Sequence, residues 1–342
     1  MFIIRADGNE EIGSGHLMRC LSIAEAIRNR GEEIIFILAD ERPKLLLKSR
    51  QYPYIVLHTD YTDMDGELVT LLQYLQESVV QGILIDSYFV TESYLKELSK
   101  QYTVTYIDDR NNVPYPVQNV INYNIYGDEG SYKQMLYHNG IGTRYLIGCS
   151  YVPLRTEFLR LPYRVNEKVS AVLITTGGSD KYNIAGKLID AIVNVGMEDL
   201  DIHVVSGVFN QHLPYLLEKA RLSSKIRIHQ NVTNMAKLMQ LCDVAITAGG
   251  STMYELCAVG VPIICFSFAE NQKLMVKSFK EKGLALYAGD YLEQEDEVIN
   301  KIIYSLNYLM NNVEERHILS NLLRQLVDGN GADRVASYLI NA

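Results

Sequence analysis

Short apolar runs alternate with stretches of helical period along most of the chain. The first set of runs falls at residues 2–4, 33–38, 54–57, 82–85 and 104–107, with helical patterns at 16–30, 44–48, 66–78 and 91–100. Strands that are apolar throughout need cover on both faces, which predicts a parallel sheet flanked by helices. The pattern breaks near 150–168, at Pro153, Pro162 and the polar stretch 163–168, and then restarts. A second set of strands is expected at 171–174, 202–205, 226–228, 244–246 and 262–266. The C-terminal stretch is helical by period, and Gly329 and Gly331 would end one helix before another begins. The economical arrangement is an α/β chain of two tandem doubly wound, Rossmann-like domains with a ligand cleft between them. Its expected parts are residues 1–158, residues 169–327 and a C-terminal helix at 328–342.

Composition narrows the class. With 342 residues, 48% hydrophobic and 21% charged, the chain is globular and long enough for two cores. Its net charge of −9 argues against a nucleic-acid partner and against binding to anionic membranes. The five cysteines are scattered with no CxxC spacing, so they are expected as reduced thiols and not as a zinc site or disulfide framework. The opening residues have no signal-peptide layout and no apolar run is long enough to span a bilayer, so a cytoplasmic location without membrane insertion is expected.

Candidate chemistry collects where the expected strands end. The first run leads into Arg5, Asp7 and then Gly13-Ser14-Gly15-His16, at the mouth of a helix that also carries Arg19. Glycines there let a ligand approach the backbone, and the free N–H groups of the first turn favour an anion or an electron-rich oxygen. Met18 falls where a dinucleotide fingerprint needs its third glycine, so a dinucleotide site is weakly supported. His16 opens the helix, where the dipole disfavours an imidazolium; it is either a neutral general base or a packed, helix-opening residue. Asp86, Ser87 and Tyr88 follow one strand and Asp108, Asp109 and Arg110 another, either as a polar rim or as turn and capping residues.

The second half carries Gly177-Gly178-Ser179-Asp180 and Gly249-Gly250-Ser251-Thr252, each after a strand. A strand, a Gly-Gly turn and then Ser or Thr at a helix start suit a diphosphate, because amides and hydroxyls converge on one point. Glu255 follows one helical turn later and suits a ribose diol, although Ser-Thr-x-x-Glu also fits a capping box.

Taken together, these segments resemble a known family. Arg5-Ala6-Asp7, Ile12-Gly13-Ser14-Gly15-His16, Arg19-Cys20, Ile85-Asp86-Ser87-Tyr88, Ile107-Asp108-Asp109, Gly148, Tyr151, Leu154-Arg155, the two Gly-Gly turns, Glu270-Asn271-Gln272 and Asp328-Gly329 run in order along the chain. They are similar to the UDP-2,4-diacetamido-2,4,6-trideoxy-β-L-altropyranose hydrolases of pseudaminic acid biosynthesis (PseG) and to the spore coat polysaccharide proteins (SpsG). More distantly, the layout resembles MurG-type GT-B glycosyltransferases. The resemblance implies a GT-B fold, with the sugar on the first domain and UDP on the second. It implies inverting hydrolysis at the anomeric carbon without a metal or cofactor, with His16 activating water and Tyr88 as an active-site tyrosine.

The candidate catalytic residues are thus His16, Tyr88 and Asp7. The candidate substrate-binding residues are Arg5, Gly13, Ser14, Gly15, Arg19, Tyr151, Arg155, Gly178, Gly250, Ser251, Thr252, Glu255, Asn271 and Gln272. The expected partner is a UDP-sugar; oligomeric state is not encoded in any motif. The competing readings are a GT-B glycosyltransferase with an acceptor other than water and a noncatalytic nucleotide-sugar binding protein. Departures at Ser87 and Cys149-Ser150 bear on which sugar is accepted.

Overall fold

The computed structural model describes residues 1–9, 11–110, 115–127, 132, 142–162, 164–207 and 209–341, which leaves Tyr163 of the stretch near 150–168 outside the described residues. The chain divides into two compact units, Met1–Thr156 with Asn330–Ala342, and Glu157–Gly329.

The first unit holds β1 (Phe2–Ala6), β2 (Ile34–Leu38), β3 (Tyr54–Val56), β4 (Gly82–Asp86), β5 (Val104–Ile107), β6 (Asn119–Asn122) and β7 (Arg144–Ile147). They form one parallel sheet in the order β3-β2-β1-β4-β5-β6-β7. Strands β1 and β4 are buried at every position, as a sheet covered on both faces requires. Ile3, Ile37, Ile83, Ile85 and Val104 pack with Leu71, Leu75, Leu95 and Leu98 of the covering helices. Each such aliphatic side chain contributes roughly 1.5–3 kcal/mol on burial.

Strands β6 and β7 escape the sequence pattern. Asn119 and Asn122 are buried in β6 although both are polar. Their amides are satisfied laterally: Asn122 Nδ2 donates to Tyr132 Oη at 2.9 Å, and Asn119 Nδ2 donates to Thr105 Oγ1 at 3.1 Å. Buried amides with partners are tolerated in a core, so an apolar run is not needed there.

The last helix, Gly331–Asn341, packs on α1 (Gly15–Arg28) and belongs to the first unit. Gly331 is needed for that return, since a Cβ on it would stand 2.1 Å from the Val152 carbonyl oxygen. Arg30 and Asp333 pair at 2.6 Å, and Tyr338 Oη donates to Asn119 Oδ1 at 3.0 Å.

The second unit holds β8 (Ala171–Thr175), β9 (Asp201–Val205), β10 (Ile226–His229), β11 (Val244–Ala248), β12 (Ile263–Ser267) and β13 (Leu286–Asp290). These form a parallel sheet in the order β10-β9-β8-β11-β12-β13. Its core sets Val172, Ile174, Val204, Ile246 and Ile264 against Ile184, Leu188, Ile302 and Leu306. The sequence pattern also missed β13, where Gly289 takes φ +132° and the pairing with β12 shifts register.

Each sheet winds outward from a central strand in two directions. The strand order reverses between β1 and β4 in one unit and between β8 and β11 in the other. Loops leaving the carboxyl ends of such strand pairs splay apart and open a crevice, so each unit has one built-in ligand position.

Candidate active site

At the first of these positions, Ala6 of β1 pairs with Asp86 of β4, and α1 opens beside them at Gly15. Gly13 turns the chain with φ +75°, and a side chain at Gly13 or Gly15 would meet open space. Ser14 is exposed at the N-cap and makes no side-chain cap. The first-turn N–H groups of α1 therefore carry no side-chain acceptor.

His16 is buried, and its Nδ1 lies 2.6 Å from Asp86 Oδ1. Arg19 stands one turn along the same helix face and grips Asp86 from the other side, Nε to Oδ2 and Nη2 to Oδ1, both at 2.6 Å. Arg19 Nη2 also lies 3.1 Å from His16 Nδ1. A guanidinium can only donate, and one ring nitrogen cannot accept from it while donating to Asp86. The shorter contact, to a carboxylate, assigns the proton to Nδ1 and leaves Nε2 as the acceptor.

Burial alone would raise the pKa of Asp86, but the Arg19 guanidinium and the His16 ring hold it well below the carboxylate range. Asp86 therefore stays ionised and orients His16. The tyrosine ring of Tyr88 meets His16 edge-on, with centroids 4.3 Å apart and planes at 83°. Burial and the neighbouring Asp109 push the Tyr88 phenol up to about 12, so at neutral pH it donates hydrogen bonds and cannot act as a base.

Three of the candidate residues are engaged by other protein groups. Arg5 is fully buried, with Nε and Nη2 on the Glu67 carboxylate at 2.7 Å each and Nη1 on Asp7. It is a charge locked beneath the edge, out of reach of a substrate. Asp7 spends its oxygens on Arg5 and on the Ala39 N–H at 2.8 Å, so it anchors the end of β1 and takes no part beside His16. Arg19 is engaged by Asp86, by Asp109 at 2.7 Å and by Tyr123 Oη at 2.6 Å, and so positions these groups.

Tyr151 stands in a short 3-10 turn, Cys149–Tyr151, after the edge strand β7. It lies beside Gly331 and the last helix, and Arg155 is half-buried a few residues on. Asp86, read from the sequence only as a rim or turn residue, orients His16, and Glu67, which the sequence patterns did not single out, neutralises Arg5. Asp86 was findable as the last residue of a strand adjoining β1, whereas Glu67 sits on a helix facing the core and gave no local signal.

In the second unit, the turns after β8 and β11 flank the reversal point. Gly177 takes φ +89°, and Gly178 is exposed with open space where a side chain would be. The loop after β9 presses against it, since a Cβ on Gly207 would fall 2.2 Å from the Gly178 carbonyl oxygen. Asp180 accepts from the N–H groups of Ile184 and Ala185 at 2.9 and 3.2 Å and caps the next helix.

After β11, a Cβ on Gly249 would meet Val276 Cγ1 at 2.5 Å and Gln272 Cβ at 3.1 Å, which brings this turn against the helix Glu270–Glu281. Gly250 is open and Ser251 exposed at the head of the helix Thr252–Val259, which has no side-chain cap. The capping box that the sequence allowed is not formed, so the Ser251 hydroxyl is not used as a cap. Thr252 and Glu255 are half-buried in the first turn. Gln272 Oε1 accepts from the Phe268 N–H at 2.9 Å, and Asn271 is exposed at the head of its uncapped helix. Gly178, Gly250, Ser251, Thr252, Asn271 and Gln272 thus share the carboxyl edge of one sheet.

Among the described residues, no group of three or more His, Cys, Asp or Glu side chains is placed to hold a metal ion. No helix among them is long and apolar enough to cross a membrane.

Comparison with known proteins follows this division. Residues 172–320 match the glycosyltransferase family 28 C-terminal domain. The chain is 26% identical to the spore coat polysaccharide biosynthesis protein SpsG of Bacillus subtilis, over 98% of this chain and 96% of SpsG. It is 22% identical to the UDP-2,4-diacetamido-2,4,6-trideoxy-β-L-altropyranose hydrolase of Campylobacter jejuni, over 82% of this chain and 96% of that protein. Among solved structures, MurG of Acinetobacter baumannii superposes with a TM-score of 0.67 at 14% identity, covering 100% of this chain and 99% of that one. The protein is therefore built from two Rossmann-like units of the GT-B type, the second matching the family 28 C-terminal domain over residues 172–320, and it is similar along nearly all of its length to SpsG and over 82% of it to a PseG-type hydrolase.

Proposed function

We propose that the protein hydrolyses a UDP-linked 2,4-diacetamido-2,4,6-trideoxyhexose at its anomeric carbon, releasing UDP and free sugar for nonulosonic acid or related surface-glycan biosynthesis. The observation that carries this reading is the His16–Asp86 contact of 2.6 Å, which leaves His16 Nε2 to take a proton. In the proposed step, Nε2 removes a proton from water as its oxygen bonds to the anomeric carbon. The bond from that carbon to the diphosphate oxygen breaks, and UDP carries away the electron pair. Asp86 stabilises the imidazolium that forms, and the Tyr88 hydroxyl donates to a sugar or water oxygen. The turn Gly249–Thr252 supplies amide and hydroxyl donors for the diphosphate, and Glu255 binds the ribose diol.

Similarity to the PseG-type hydrolase supports this reading over a MurG-type transferase, which needs an acceptor other than water. Incubation with UDP-diacetamido-trideoxyhexoses in the absence of any acceptor decides between them. UDP release is expected; release only after addition of an acceptor would establish the transferase. In ¹⁸O-water the label should enter the sugar as an inverted anomer and leave UDP unlabelled. Excess EDTA should leave the rate unchanged. Labelled UDP, or an absolute requirement for added metal, would place the attack at phosphorus.

Glu255→Ala should weaken UDP binding by about 1.5–3 kcal/mol, the scale for losing a hydrogen bond to a charged group. Calorimetric titration with UDP checks this, and an unchanged affinity would leave Glu255 with a structural role only.

A further inference from the structure

The carboxyl edge around His16 is acidic beneath and cationic at one exposed point. Asp86 is held by His16 and Arg19, and Asp109 by Arg19 and Asn124 Nδ2. Asp108 is fully buried and accepts from Tyr115, Tyr132 and the Arg110 backbone N–H. Asp86 and Asp108 are buried and Asp109 is half-buried, and Arg19 is the cation spent on Asp86 and Asp109. A ligand carrying oxyanions would be repelled by such a floor unless a second cation met it. Arg110 is that cation. It is exposed, its guanidinium carbon rests 4.8 Å from the Tyr88 ring centroid, and it makes no ion pair among the described residues.

The Tyr88 ring face attracts the guanidinium as a cation but is not a carboxylate counter-charge, so the Arg110 charge can still meet an oxyanion. Tyr88 in turn contacts His16, so Arg110 is held one ring away from the proton acceptor. We infer that Arg110 is a substrate-positioning residue that binds an oxyanion of the ligand at the His16 site. The inference rests on the reading above that this site meets a nucleotide sugar. The oxyanion has two possible sources: the diphosphate bonded to the anomeric carbon, or a carboxylate on the sugar.

The test compares the full-length protein with Arg110→Gln and Arg110→Lys, using a neutral UDP-diacetamido-trideoxyhexose and a UDP-hexuronate. UDP release and calorimetric binding are both measured at low and high salt. If the diphosphate is the target, Arg110→Gln should lower kcat/KM on either substrate by roughly 10- to 100-fold, the scale of a charge-assisted hydrogen bond. Arg110→Lys should recover much of the loss, and the wild-type advantage should shrink as salt rises. If a sugar carboxylate is the target, the loss should be confined to the hexuronate. Unchanged rates and affinities in Arg110→Gln on both ligands would overturn the inference. If the wild-type protein releases UDP from neither substrate, the hydrolase reading fails by itself. Arg110 is then judged by affinity: a loss in Arg110→Gln upholds it, and equal affinity overturns it.

Discussion

His16→Gln should lower acceptor-independent UDP release by about 10²-fold or more, the contribution of a positioned general base. Glutamine can still donate an amide hydrogen towards Asp86, so the buried contact at 2.6 Å need not be left empty. What is lost is the second ring nitrogen as a proton acceptor. Thermal stability should therefore stay close to that of the wild type. UDP affinity should also hold, since His16 is not among the proposed UDP contacts, which centre on Gly250, Ser251, Thr252 and Glu255. Initial rates with UDP-diacetamido-trideoxyhexoses and a calorimetric UDP titration separate these effects. Near-normal turnover would remove His16 from the chemistry.

Asp86→Asn should damage both chemistry and stability. The carboxylate accepts from His16 on one side and from Arg19 on the other, and it is fully enclosed. A neutral amide no longer stabilises an imidazolium and no longer fixes the proton on Nδ1, and turnover should fall by about 10²–10⁴-fold, the scale seen when such a dyad loses its carboxylate. Removing one partner also leaves the Arg19 guanidinium short of a counter-charge in a buried setting. Breaking such a pair costs about 3–5 kcal/mol, and Asp109, still 2.7 Å from Arg19, should keep the loss near the lower end. Proton NMR of the imidazole distinguishes positioning from mere packing, because the hydrogen-bonded Nδ1–H resonance should disappear in the variant.

The same residue sets a pH dependence of stability. Burial opposes the charge on Asp86, but Arg19 and His16 outweigh it and hold the pKa of the folded state below that of the unfolded chain. The group then contributes its full stabilisation above the ordinary carboxylate range, near about pH 4. That contribution is lost as pH falls through the lowered value. Urea midpoints should therefore decline more steeply in acid for the wild type than for Asp86→Asn. Parallel curves would show that the carboxylate is not preferentially ionised in the folded state.

The alternation of apolar runs with helical stretches determined the architecture of both units. A run such as Phe2–Ile4 or Ala171–Ile174 has nowhere to go but the centre of a covered sheet, and burial is a property of composition and period. The Gly-Gly turns were legible for a similar local reason, because a chain leaving a strand for a helix with no side chain in the way leaves an open edge. Polar strand β6 was not legible, because what makes Asn119 and Asn122 acceptable inside is the hydroxyls of Thr105 and Tyr132, supplied by other segments.

The charged residues after the strands divide along the same line. In sequence Arg5, Asp7 and Asp86 look alike, as polar groups at the ends of apolar runs. Only the packing decided that Glu67 would rise from a distant helix to seal Arg5, that Asp7 would turn to Ala39, and that Asp86 at the end of β4 would meet His16 at the head of α1. The physical reason is that burial follows from the residue itself, whereas the role of an ionisable group follows from the partner that neutralises it. For His16 that partner lies 70 positions away along the chain, where no local pattern could show it.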